Sequence, residues 1–143
     1  MTEKFNYLFK GLTHLRVRYG ETDQMGYCYY GNYAQFFEVG RVEALRSIGM
    51  SYKKMEDEGI MLPVSEFSVK YVRPALYDDE LAITTYVTKL EGVRLFFDYE
   101  IFNESSELIA TAKTTLVFVD KNTMRPKTPP ESFKKLLELQ KEN

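Results

Sequence analysis

A chain of 143 residues with 44% hydrophobic and 28% charged side chains is about the length of one domain and too apolar to remain disordered. Its net charge of −2 argues against nucleic acid as a partner, so any anionic ligand must be held by a local basic cluster. One cysteine, Cys28, and one histidine, His14, exclude an internal disulfide, cysteine-rich zinc sites and much histidine-driven chemistry.

No apolar run approaches the ~20 residues of a membrane-spanning helix. The opening MTEKFNYLFKG lacks the apolar centre of a secretion signal, so the expected compartment is the cytoplasm. Without linker, repeat or low-complexity segment, residues 1–143 are expected to form one domain.

In chain order, LTHLRVRY (12–19) alternates Leu15, Val17 and Tyr19 with Arg16 and Arg18, the pattern of a half-buried strand. A loop with glycines at 20, 26 and 31 follows. From Asn32 to about Ile48 the period becomes helical: Tyr33, Phe37, Gly40, Ala44 and Ile48 share a face that Phe36 and Leu45 widen. Asn32 is placed to cap this helix and Gly49 to end it. Glu38 stands three residues before Arg41, the spacing of a helical ion pair. Ser51 to Gly59 reads as a short second helix.

The remainder is mostly β. Phe67, Val69 and Tyr71 alternate with Ser68 and Lys70 ahead of Pro74. Leu81, Ile83 and Val87 precede a turn at Glu91-Gly92, and Val93 to Ile101 precede one at NESSE. Leu108 to Val119 is apolar on both faces and is expected to be central. TPPESFKKLLELQ closes the chain as an amphipathic helix. Successive strands with short connections pair antiparallel, and only the long helix is large enough to cover them. The expectation is an α+β fold, an antiparallel sheet wrapped around a long central helix.

The stretch RVRYGETDQMGYCYYGNYAQFFEVGRVEALRSIGM (16–50) resembles the opening of the hotdog-fold acyl-CoA thioesterases of the 4-hydroxybenzoyl-CoA thioesterase type. The resemblance lies in Asp23, Gly26, Asn32, Tyr33, Phe36 or Phe37, Glu38, Arg41 and Glu43. YVRPALYDDEL (71–81) and FVDKNTMRP (118–126) extend it, so that it covers roughly residues 12–130. It implies a hotdog fold and thioester hydrolysis, with Asp23 attacking the thioester or activating water. It also implies that a backbone amide near Tyr30 polarises the carbonyl, and that the protein is a homodimer or homotetramer with its site at the subunit interface. The chain departs from some branches of the family in carrying tyrosine rather than histidine at position 30, and in the larger Met25 and Tyr27 of its loop.

The chemistry agrees. Hydrolysis of a thioester needs a base or nucleophile, which a carboxylate supplies, and donors for the oxyanion, which the free amides of a helix start supply. Asp23 lies nine residues before Asn32, near enough to fold back over that helix start, or else it makes only a loop turn. Gly26 permits a tight turn. Tyr27, Tyr29, Tyr30 and Tyr33 either line an acyl pocket or sit at a subunit interface. Arg125 and Lys127, then Arg94, are the first candidates for the phosphates of coenzyme A, with Arg73 a further one. His14 is a surface or packing residue, and Cys28, with no histidine to activate it, a small loop hydrophobe. No metal and no cofactor beyond the coenzyme A of the substrate are expected. Two other functions compete. A hotdog hydratase or dehydratase needs a histidine paired with an acid, and this motif lacks the histidine. A non-catalytic acyl-CoA sensor would have no use for a carboxylate beside the thioester.

Overall fold

The computed structural model describes residues 6–140; the expected bounds of 1–143 run beyond them at both ends. Five strands form one antiparallel sheet: β1 (Phe9–Arg16), β3 (Val64–Tyr71), β4 (Glu80–Glu91), β5 (Arg94–Phe102) and β6 (Leu108–Val117), in the order β1-β4-β5-β6-β3. Helix α1 (Tyr33–Ser47) packs on one face, α2 (Tyr52–Asp57) follows it, and α3 (Glu131–Gln140) closes the chain. Two short strands, β2 (Ile60–Met61) and β7 (Val119–Asp120), pair separately. This is the expected hotdog architecture.

The helix lies where side-chain size allows it. A Cβ on Gly40 would stand 2.6 Å from Thr85 Oγ1 and 2.9 Å from Ile83 Cγ2, so only glycine lets α1 approach β4 this closely. Phe36, Phe37, Ala44 and Leu45 fill the contact from the helix, and Leu81, Ile83, Val87, Leu95, Phe97, Tyr99 and Ile101 from the sheet. The Phe37 ring sits 4.8 Å from that of Tyr99 and 6.1 Å from that of Phe67. The two outermost strands of the sheet are β1 and β3. On β3, Val64, Phe67 and Tyr71 are all more than two-fifths exposed.

Four local expectations change. The first strand runs over 9–16 rather than 12–19, because Val17 turns into the core as its amide bonds the Asp79 carbonyl and Tyr19–Glu21 form a 3-10 turn. Asn32 is not a side-chain cap. A 3-10 turn over Tyr30–Asn32 precedes α1, which leaves Asn32 already helical (φ −81, ψ −15), and its side-chain amide donates to the Glu21 carbonyl at 2.8 Å. Arg41 does not pair with Glu38. It is buried, and its Nε donates to the Tyr52 hydroxyl at 3.1 Å. The last long strand breaks at Phe118, after which Val119 pairs with Met61. Ser51 does cap α2, accepting from the Lys54 amide, and Gly49 (φ +98) and Gly59 (φ +84) end the two helices in the left-handed region.

Candidate active site

The loop from Glu21 to Asn32 is closed by one residue. Glu21 is buried, and its carboxylate accepts from the Arg18 amide (2.7 Å) and guanidinium (2.9 Å). Its carbonyl accepts from the Tyr29 amide (2.7 Å) and the Asn32 side chain (2.8 Å). The start of the loop is thereby tied to the head of the central helix.

Inside this closure Asp23 organises a tight turn. Its amide donates to the Tyr27 carbonyl and its carbonyl accepts from the Gly26 amide, with Gly26 at φ +82. Its Oδ1 accepts from the amides of Met25 (2.9 Å) and Tyr27 (3.1 Å). Oδ2 has no hydrogen-bond partner among the described residues. The Asx turn and a chemical role therefore do not compete: one oxygen is spent on the turn and the other is left free.

Asp23, Tyr27, Cys28, Tyr30, Tyr33, Tyr71, Val72, Arg73 and Pro74 line one open cleft of about 300 Å³. The amides of Tyr30 and Gly31 begin the 3-10 turn that runs into α1, and neither has an acceptor among the described residues. Burial pushes the Tyr33 phenol up to about 12. Burial, reinforced by the Glu21 charge, pushes the Cys28 thiol up to about 11. Near neutral pH Tyr33 is thus a neutral wall and Cys28 a neutral thiol, which makes Cys28 a poor nucleophile.

Of the residues singled out from the sequence, Asp23, Tyr27, Tyr30 and Tyr33 meet in this cleft, and Gly26 shapes the turn beside it. Arg94, Arg125 and Lys127 do not. Arg94 opens β5 opposite Val117, Lys127 donates its amide to Phe118, and Arg125 offers its carbonyl to Asp120. The cleft lies at the other end of the sheet, where Tyr71 pairs with Ala110 and Ala110 with Ile101. Arg94 and Ile101 are seven residues apart on β5, which is roughly 23 Å of strand. The cation that does line the cleft is Arg73, 3.8 Å from Glu107. Sequence reading ranked Arg73 last among the phosphate candidates and gave Tyr71 no role. The signal for Tyr71 was the period-two alternation that puts it on the helix-facing side with Phe67 and Val69.

At the opposite end of β3 a second cleft of about 310 Å³ is lined by Glu38, Arg41, Tyr52, Glu56 and the segment 60–64. Arg41 bonds Tyr52 there, beside Tyr99, whose hydroxyl shares a 2.6 Å hydrogen bond with Thr114.

The thioesterase-like superfamily matches this chain over residues 17–137, and the chain belongs to it. YneP of Bacillus subtilis is 34% identical over 112 residues, 78% of this chain and 81% of YneP. A DHNA-CoA thioesterase from Staphylococcus aureus superposes with a TM-score of 0.86 at 36% identity, over 93% of this chain and 89% of that one. 4-hydroxybenzoyl CoA thioesterase, in complex with 4-hydroxybenzoyl CoA, superposes with a TM-score of 0.80 over 90% of this chain and 98% of that one, a likeness of fold alone at 19% identity. By class the chain is a thioester hydrolase. Among the described residues no helix is long and apolar enough to cross a membrane.

Proposed function

We propose that this protein hydrolyses an acyl-coenzyme A thioester to the free acid and coenzyme A, with Asp23 as nucleophile or general base. One observation carries the reading: a carboxylate with one oxygen anchored and the other free shares a cleft with Tyr30, whose amide at the head of the central helix has no acceptor among the described residues. As base, Oδ2 takes a proton from water while the hydroxide adds to the thioester carbonyl. As nucleophile, Oδ2 adds to that carbonyl itself and water later cleaves the anhydride. In both routes the carbonyl oxygen becomes an anion that the Tyr30 amide receives, aided by the positive end of the helix dipole. Collapse then expels coenzyme A as a thiolate, which takes up a proton.

The phosphates of coenzyme A call for the basic groups that lie far from Asp23 within one chain. A homodimer paired through the open edge of β3 removes that separation. If β3 pairs antiparallel with its copy about Ser68, Glu66 stands opposite Lys70 of the partner subunit on both sides of the axis, an arrangement of opposite charges that favours this register. The Tyr71 end of one strand then lies beside the Val64 end of the other. Val64 pairs with Leu116 and Val117 with Arg94, so Arg94 of the partner subunit comes within about two strand spacings, roughly 10 Å, of that junction. Arg125 and Lys127 of the partner subunit follow from the same end, and Arg73 adds a cation from the cleft's own chain.

The test is thiol release across short aliphatic, long aliphatic and aromatic acyl-CoA esters, with Asp23→Asn alongside and sedimentation of both proteins. Turnover of one class, lost in the variant while the dimer persists, supports the reading. Binding of an ester without turnover would instead make the protein a non-catalytic acyl-CoA sensor. An active monomer would remove the interface.

A further inference from the structure

We infer that Asn32 is a positioning residue: its side chain locks the turn that carries Asp23 to the head of the central helix, and so fixes the carboxylate relative to the Tyr30 amide. The turn and the helix head are distinct units. Residues 21–29 double back on themselves, with Thr22 bridged to Cys28, the Asp23 amide on the Tyr27 carbonyl at 2.8 Å and the Tyr29 amide on the Glu21 carbonyl at 2.7 Å. Asp23 belongs to this unit. Helix α1 begins at Tyr33, after the 3-10 turn Tyr30–Asn32. The Tyr30 amide lies at the joint between the two.

Asn32 spans that joint twice. Its backbone amide donates at 3.0 Å to the Tyr29 carbonyl, the oxygen of the same planar peptide that carries the Tyr30 N–H. Its side-chain Nδ2 donates at 2.8 Å to the Glu21 carbonyl, across eleven positions of sequence. The first bond is open to any residue but proline, whereas the second needs a side-chain donor. The acceptor is itself held: Glu21 is buried, its amide donates to the Arg18 carbonyl at 2.9 Å, and its carboxylate is engaged by Arg18. Packing does not hold the joint, because Tyr30 and Gly31 are exposed. The Tyr71 hydroxyl donates to the Tyr30 carbonyl at 3.3 Å, a longer bond on the next peptide that reaches no part of the Asp23 turn.

This role rests on the thioesterase reading, and the experiment separates the two. Wild type, Asp23→Asn, Asn32→Ala and Asn32→Asp are compared for kcat and KM on the best acyl-CoA ester, for thermal unfolding, and for alkylation of Cys28 by iodoacetamide. Cys28 is the one cysteine of the chain, lies within the turn and is 6% exposed, so its alkylation rate reports opening of the turn. Asn32→Asp keeps the shape and loses the donor, which separates the hydrogen bond from the volume. The expected result for both Asn32 variants is a fall in kcat on the order of ten-fold, since small displacements of reacting groups are costly. KM should stay within about two-fold, as expected when ground-state binding is kept. Alkylation should accelerate roughly five-fold, the effect of one net hydrogen bond lost from the closed turn. Loss of the Asn32 amide by itself would slow the thiol, because that amide favours its ionised form, so faster alkylation reports opening alone. Tm should fall by no more than roughly 4 °C. A merely structural asparagine would lower Tm and leave the kcat of the folded fraction alone. Unchanged kcat in either Asn32 variant, or an unchanged alkylation rate, overturns the inference. Absence of turnover in the wild type, or full turnover in Asp23→Asn, overturns the thioesterase reading instead, and the alkylation rate still decides whether Asn32 locks the turn.

Discussion

The two clefts at the ends of β3 are similar in volume and both hold carboxylates, yet they are prepared for different tasks. At the Tyr71 end, Asp23 sits in an open cleft with one oxygen anchored and one free, beside Tyr30, whose amide has no acceptor among the described residues. At the Val64 end, the charged group in the core is Arg41, and its polar neighbours are neutral hydroxyls already engaged with it or with each other. The first arrangement leaves hydrogen-bonding capacity for a reacting molecule. The second uses much of its capacity to hold α1, α2 and β5 together. Burial alone would have pointed to the second cleft, whereas a free carboxylate oxygen beside a residue whose amide has no acceptor points to the first.

The largest effect that would break this contrast is on turnover. Asp23→Asn keeps the shape and the Oδ1 anchors but loses the base and nucleophile, so kcat should fall by on the order of 10²–10⁴-fold. Its Tm should stay within about 2 °C of wild type, since exposed polar substitutions cost little. Arg41→Met should do the reverse. It leaves the Tyr52 hydroxyl without its Arg41 partner, a loss of ~2 kcal/mol, and Tm should drop by roughly 6 °C while the folded protein keeps most of its turnover. If Arg41→Met abolished turnover without lowering Tm, the chemistry would belong to the Val64 end.

A third substitution sharpens the structural side. Gly40→Ala places a methyl group 2.6 Å from Thr85 Oγ1 and 2.9 Å from Ile83. Thr85 Oγ1 is itself buried without a hydrogen-bond partner among the described residues. Neither neighbour can yield without moving β4 away from α1, so the cost should be ~2 kcal/mol, read by denaturant unfolding. A neutral result would mean that the helix can slide on the sheet.

Much of this was legible in the sequence where the signal is local. The helical stripe of Tyr33, Phe37, Gly40 and Ala44, the alternation in β4 and β5, and the motif from Asp23 to Tyr33 all lie within short windows, and all of them pack or cluster as their spacing implies. What escaped was set by distant partners. The fate of Asn32 depended on a carbonyl at Glu21, that of Arg41 on a hydroxyl at Tyr52, and that of Tyr71 on a carbonyl 41 residues away. The basic turn at Arg125 and Lys127 resembled the family's turn in sequence, yet the chain topology carries it to the far end of the sheet, a separation that no local window contains.

The smallest predicted effect concerns pH, and it again divides the two ends. Burial raises the Cys28 thiol from 9.0 to about 11 and the Tyr33 phenol from 10.0 to about 12 at the Asp23 end, and it raises Tyr52 from 10.0 to about 12 at the Arg41 end. Each folded-state value lies above the unfolded one, so the neutral form is the one that folding favours. The stability tied to these groups is complete below the unfolded value and is lost as pH rises toward the folded value. Thermal stability should therefore begin to fall near pH 9, where Cys28 alone responds, and fall more steeply above pH 10, where both tyrosines join it. Cys28→Ala should move the onset of the decline from about pH 9 to about pH 10, and Tyr52→Phe should leave the onset where it is and soften only the steeper part. An onset that does not move in Cys28→Ala would mean that the thiol is in contact with water, and that the Asp23 loop is looser than its Glu21 closure implies.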